Sequence, residues 1–223
     1  MSGELVEFFL DPMCPWAYQT SKWIRELQER GVVEVAWRFF SLEEINHVDG
    51  SKHPWERAWT YGWSQMRVAA LIRRESQVAA GRWYAAVGEA FHERGEKTHD
   101  PEVHRELVAA IGFPGAVDAA LADPTTAEEV RADHDEAVAL HAAFGVPTIV
   151  LAGGHAVFGP VITPAPTGDE ALRLWHLVSG WRQLPHLYEL RHPKTPTDIV
   201  HIADSFRPYL EARDWATVEN RAP

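Results

Sequence analysis

Strand-type sequence occurs in only two places in this chain of 223 residues, and the hundred or so residues between them carry none. In the first place, Leu5 to Leu10 is the aromatic and aliphatic run of a buried strand. Pro15 to about Arg30 follows, with Tyr18, Trp23, Ile24 and Leu27 on one helical face and Gly31 as a stop. Val33, Val35, Trp37 and Phe39 then alternate with Glu34, Ala36 and Arg38, a second strand. In the second place, Thr148 to Leu151 and Ala156 to Phe158 flank Gly153-Gly154, a tight hairpin signal. A helix through Leu172, Trp175, Val178 and Trp181 comes next, with Thr167 and Glu170 at capping-box spacing.

A β-α-β unit completed far downstream by a β-β-α unit leaves few solutions. The reading is an α/β protein of thioredoxin-like fold with a helical domain inserted between the two halves. Residues 1–52 and 145–183 are assigned to the thioredoxin-like domain, and 53–144 to the insertion, which would cover the site. Residues 184–223, rich in proline until Ile202 to Leu210, are expected to strap over the thioredoxin-like domain with at most one short helix, or to fray.

Within the insertion, helices are expected at Pro54–Arg74, at Gly81 to about Arg94, and from Asp100-Pro101, a cap and first-turn proline, to about Ile111. Pro114–Leu121 reads as a short helical turn. Thr126 and Glu129 have capping-box spacing for a helix that should run to Phe144 and stop at Gly145.

Ten tryptophans and 46 % apolar residues supply a large core and argue against disorder. A formal charge of −11 lacks the footprint of a nucleic-acid or anionic-membrane binder, and no apolar run is long enough for a membrane span. No export signal opens the chain, and one cysteine excludes an intramolecular disulfide framework, so a cytoplasmic location is expected. The twelve histidines show no zinc-type spacing, so no metal site is expected. The tryptophan content fits a monomer or a homodimer.

The single thiol, Cys14 in "DPMCPWAYQ", lies between the first strand and first helix. A helix N-terminus stabilises a thiolate and can lower its pKa from about 8.5 to about 3.5–7.5. Pro15 suits the first helical turn, and Trp16 offers a flat wall for a substrate. The alternative is a small buried hydrophobe, the fate of most free cysteines; the coincidence of strand end, proline and helix start favours the reactive reading. Gly145-Val146-Pro147-Thr148 precedes the third strand, where a proline needs no special role. With Cys14 upstream in this topology, a cis Val146–Pro147 bond facing the sulfur is expected, its exposed backbone able to pair with a substrate.

"FFLDPMCPWAY", "FGVPTIV", "FGPVITPAPTGDEALRLW" and "LPHLYELRHPKTP" together resemble the DsbA-like thioredoxin superfamily and, within it, the mycothiol-dependent nitroreductase group. The resemblance implies an oxidoreductase with no tightly bound cofactor, using a low-molecular-weight thiol such as mycothiol as co-substrate and acting on a small organic or disulfide substrate. Members with Cys-Pro-Trp-Cys have a second thiol where this chain has Ala17. A single thiolate can instead form a mixed disulfide that a second small thiol resolves. A kappa-class-like thiol transferase or isomerase, or a catalytically silent binding or chaperone module, remain alternatives. The resemblance places Asn46 near the substrate pocket, where a turn-forming role is equally open. It places His92 and His99 at the site mouth, where surface histidines are the default and proton donation the sharper reading. Tyr61, Trp55, Trp59 and Trp63 could line an aromatic lid, although a four-residue tryptophan spacing first suggests a packed core stripe.

Overall fold

The computed structural model describes residues 3–212. Strand β1 (Glu4–Leu10), helix α1 (Pro15–Glu29) and strand β2 (Val33–Phe39) form the first unit. Strands β3 (Thr148–Leu151) and β4 (His155–Phe158) and helix α8 (Gly168–Gly180) form the second. They join in one sheet ordered β2-β1-β3-β4, with β1 parallel to β2 and the other pairings antiparallel. This is the thioredoxin-like topology expected from the two periodicities. The hairpin turns through Gly153 and Gly154, both at positive φ, which glycine adopts without a side-chain clash.

The alternation in β1 divides its side chains. Val6, Phe8 and Leu10 join Trp23, Ile24 and Leu27 of α1 in the main core, while Phe9 faces the opposite way among Phe40, Ala137 and Val150. Trp23 donates its ring N–H to the Ala171 carbonyl at 3.0 Å, tying α1 to α8. The main core continues through Trp63, Met66, Trp83 and Val130, so the inserted helices share their interior with the sheet.

After β2 come the short helix α2 (Leu42–Ile45) and a 3-10 turn, Pro54–Glu56. Helices α3 (Tyr61–Arg73), α4 (Gln77–Gly88), α5 (Pro101–Ala110), α6 (Ala116–Ala122) and α7 (Thr125–His141) follow. The single helix expected over Pro54–Arg74 is therefore broken. Trp55 lies in the 3-10 turn and Trp59 beyond it, with the Trp59 ring N–H held by the His99 carbonyl at 2.6 Å; all three tryptophans still pack on the core. Asp100 caps α5 as expected, its carboxylate accepting from Glu102 N–H at 2.8 Å. The capping box expected at Thr126 does not form. Thr126 donates to the Ala120 and Asp123 carbonyls, Glu129 pairs with Arg74 at 2.5 Å, and the Asp123 carboxylate accepts from Thr125 N–H instead. Helix α7 stops at His141 because Ala142 turns left-handed at φ 51°. Thr167 likewise makes no side-chain cap on α8; Glu26 of α1 reaches Gly168 N–H at 3.1 Å.

Helix α4 runs into a π turn, Glu89–Glu93, which aims His92 at the loop before α1. The C-terminal segment forms two short helices, α9 (Pro196–Ser205) and α10 (Arg207–Ala212). The start of α9 is fixed by a Thr195–Asp198 capping box. The segment touches the thioredoxin-like half at Trp16, but α10 packs on the π turn of the insertion: Phe206 lies on Trp16, and Tyr209 on Phe91 and His92. The remainder of the expected strap, 213–223, lies outside the described residues.

Candidate active site

Cys14 is the N-cap of α1, with Pro15 at the first helical position. Its sulfur accepts from Ala17 N–H and donates to the Val146 carbonyl, each at 3.4 Å. The Val146–Pro147 peptide is cis. The thiol and the cis-proline loop, 132 residues apart in sequence, are thus in direct contact. Cys14 is only 7 % exposed, packed among Phe9, Ala17, Phe40 and Val146.

That burial reverses the expected electrostatics. Loss of solvation pushes the Cys14 thiol up to about 12; the Ala17 N–H opposes the rise and the Asp11 charge adds to it. The helix N-terminus supplies a hydrogen bond, as the sequence implied, but a thiol shielded from water stays protonated. Asp11, directly after β1, was assigned no role from the motifs. Its carboxylate accepts from Met13 N–H at 2.9 Å and Leu42 N–H at 2.8 Å, joining the loops before α1 and α2. Burial lifts its pKa to about 6. The available signal was a carboxylate directly following an apolar strand.

Trp16 is partly buried and meets Phe206 edge to face at 4.6 Å between ring centroids. Thr148 is buried, its hydroxyl donating to the Gly145 carbonyl at 2.8 Å. Asn46, the exposed C-cap of α2, donates to Leu42 O at 2.7 Å, the turn-forming use. Tyr61 opens α3 and lies across His99 at 5.0 Å.

Neither His92 nor His99 is the surface histidine expected; both are buried. His92 Nε2 lies 2.9 Å from the Pro12 carbonyl, which can only accept, so Nε2 carries the proton in the neutral ring and Nδ1 is a buried acceptor with no partner. Burial holds the His92 pKa down at about 4. Its ring stacks on Tyr18 at 5.0 Å, and the Tyr18 hydroxyl donates to Glu93 at 2.8 Å. Burial thus favours the neutral His92 ring near neutral pH, with its N–H engaged by the Pro12 carbonyl. Phe206 and Tyr209, which the sequence placed only in a strap, border Trp16 and His92.

Among the described residues, Glu7, Glu136 and His141 bring ligand atoms within 4.8 Å of one another. The Arg38 guanidinium already pairs with Glu7 at 3.5 Å and with Glu136, so a cation occupies this acidic group. No helix of the described residues is long and apolar enough to cross a membrane.

The split sheet, the thiol at the start of α1, the cis proline against it and the helices between the halves define a DsbA-like protein of the thioredoxin superfamily. Comparison with known proteins gives the family. The family model of the mycothiol-dependent nitroreductase Rv2466c matches residues 13–192, and the chain belongs to that family. It is 52 % identical over 214 residues to the uncharacterized protein Rv2286c of Mycobacterium tuberculosis, covering 96 % of this chain and 92 % of the relative. The cytosolic disulfide reductase DsbM of Pseudomonas aeruginosa, solved with GSH, has the same fold at TM-score 0.55 and 17 % identity over 80 % of this chain and 99 % of its own. So does a 2-hydroxychromene-2-carboxylate isomerase, at TM-score 0.56 and 15 % identity over 81 % and 95 %.

Proposed function

We propose that this protein is a cytoplasmic thiol-dependent oxidoreductase working through Cys14 alone, with a low-molecular-weight thiol, mycothiol by family membership, as its co-substrate. The observation that carries this reading is the contact between the Cys14 sulfur and the Val146 carbonyl beside the cis proline. The contact sets the only thiol of the chain beside backbone that a disulfide substrate can align on. In the step proposed, the Cys14 thiolate attacks a disulfide RSSR, the Cys14–SR bond forms and RS⁻ leaves. A second small thiolate then attacks the outer sulfur, giving a new small-molecule disulfide and returning Cys14. Pro15, Trp16, Val146, Pro147 and Thr148 would frame the substrate, and Asn46, Tyr61, His92 and His99 the surrounding wall.

The burial of Cys14 favours a second reading, in which its sulfur never becomes covalently modified and the fold serves as a transferase, an isomerase or a binding module. Intact mass after brief exposure to mycothiol disulfide or glutathione disulfide at neutral pH separates the two, with Cys14→Ser as control. A single adduct on Cys14 supports the monothiol oxidoreductase, and the preferred adduct identifies the thiol. No adduct on folded protein with either disulfide overturns it.

A further inference from the structure

A cleft of about 390 Å³ opens away from the thiol. It lies between α1, the end of α4 with its π turn, and the loop Ala165–Thr167 before α8. Its volume is that of a small-molecule site. Arg25 lines it from α1, with its guanidinium carbon 6.0 Å from the centre of the Tyr18 ring. Among the described residues Arg25 has no hydrogen bond or ion pair, and its Nη1 is buried without an acceptor.

The acids at the rim do not satisfy this cation. Glu93 accepts from Lys22 at 2.7 Å and Tyr18 at 2.8 Å, Glu89 pairs with Arg94 at 2.6 Å, and Glu26 holds Gly168 N–H and faces Arg30 at 3.6 Å. Glu29 is exposed at the outer end of α1, where water screens it. A charged group taken partly out of water without a counter-charge is unfavourable unless a ligand supplies the missing partner.

We propose that this cleft binds the oxyanion group of a small molecule, a carboxylate or phosphate, with Arg25 as its charge partner. The inference goes beyond the thiol chemistry and does not depend on it. Because the chain carries a net charge of −11, diffuse attraction of anions would not imitate such a site.

The test is thermal unfolding in sodium benzoate or sodium phosphate against sodium chloride at matched ionic strength. At an anion concentration about ten times its Kd, a midpoint rise of about 3 °C is expected for a domain of this size. A rise with benzoate alone assigns a carboxylate ligand, and with phosphate alone a phosphate. Arg25→Met, which keeps the apolar stem, should lose the rise while its midpoint in chloride stays equal or increases; Lys194→Met, which removes an exposed cation outside the cleft, should keep the rise. No rise with either anion, a rise retained in Arg25→Met, or one lost in Lys194→Met overturns the proposal. Should Arg25→Met fail to fold, titration of the wild-type protein labelled with 15N-arginine decides, with benzoate and with phosphate in turn, either anion sufficing to move the signal. The Arg25 Nε–H signal must shift and saturate, and an unmoved signal refutes the site.

Discussion

Asp11 begins the Cys14 loop and His92 packs on it at the Pro12 carbonyl, and the two have opposite effects on stability as pH changes. Asp11 has an ordinary value of 3.8, and burial lifts it to about 6. Between these values the folded protein binds more protons at Asp11 than the unfolded chain, so stability falls as pH rises through the window. At 1.36 kcal/mol per pH unit the whole interval amounts to about 3 kcal/mol. His92 has an ordinary value of 6.5, and burial lowers it to about 4. Here the unfolded chain binds more protons, so stability rises from about pH 4 to 6.5, again by about 3 kcal/mol. The two slopes oppose each other in the wild-type protein. Single substitutions should separate them: Asp11→Asn keeps the shape and removes the charge, and His92→Gln keeps a donor for the Pro12 carbonyl. Measured by urea unfolding from pH 4 to 7.5, the stability of Asp11→Asn relative to wild type should climb by about 3 kcal/mol as pH rises. That of His92→Gln should drop by a similar amount. Each variant's fixed loss of packing or hydrogen bonding cancels in the pH dependence. Flat differences, or two differences of the same sign, would refute the assignment of these groups as buried and oppositely shifted.

Two further outcomes follow from the same region. A Cβ at Gly88 would lie 2.1 Å from Cδ2 of the Tyr18 ring, so Gly88→Ala must displace that ring from His92 and should cost about 1–3 kcal/mol in chemical unfolding. Iodoacetamide should modify Cys14 far more slowly than a free thiol at pH 8, with a rate still rising at pH 10; Asp11→Asn, which removes a charge opposing the thiolate, should react faster than wild type at the same pH.

The arrangement of sheet and helices was legible because it rests on local periodicity: two-residue alternation in β2, a helical stripe in α1, and two glycines at the hairpin. Helix ends in the insertion were less legible, because they are decided by distant partners. The spacing of Trp55, Trp59 and Trp63 imitates one helix, yet the Trp59 ring is held by a carbonyl forty residues away. Glu129 has the spacing of a capping-box acid, yet Arg74 of another helix segment claims it. The cysteine at the start of α1 and the cis proline were legible as motifs. The burial of His92 and His99 was not, since their contacts with Pro12, Tyr61 and Phe91 exist only once the insertion has folded over α1.

The acidity of Cys14 shows which of two opposed effects controls the site. A helix N-terminus contributes at most about 2 kcal/mol toward an anion in a favourable, partly buried position. The rise of Cys14 from 9.0 to about 12 corresponds to about 4 kcal/mol against the thiolate, with the Ala17 N–H already acting in its favour. Burial among Phe40, Val146 and their neighbours therefore outweighs the helix terminus, and adding charge near the start of α1 would recover only part of the difference. In this arrangement the thiol proton is directed at the Val146 carbonyl. A ligand that pairs with that backbone would compete for the same oxygen and wet or re-cover the sulfur at the same time. Burial against the cis-proline loop thus weighs more on the Cys14 thiol than the residues flanking the cysteine in sequence.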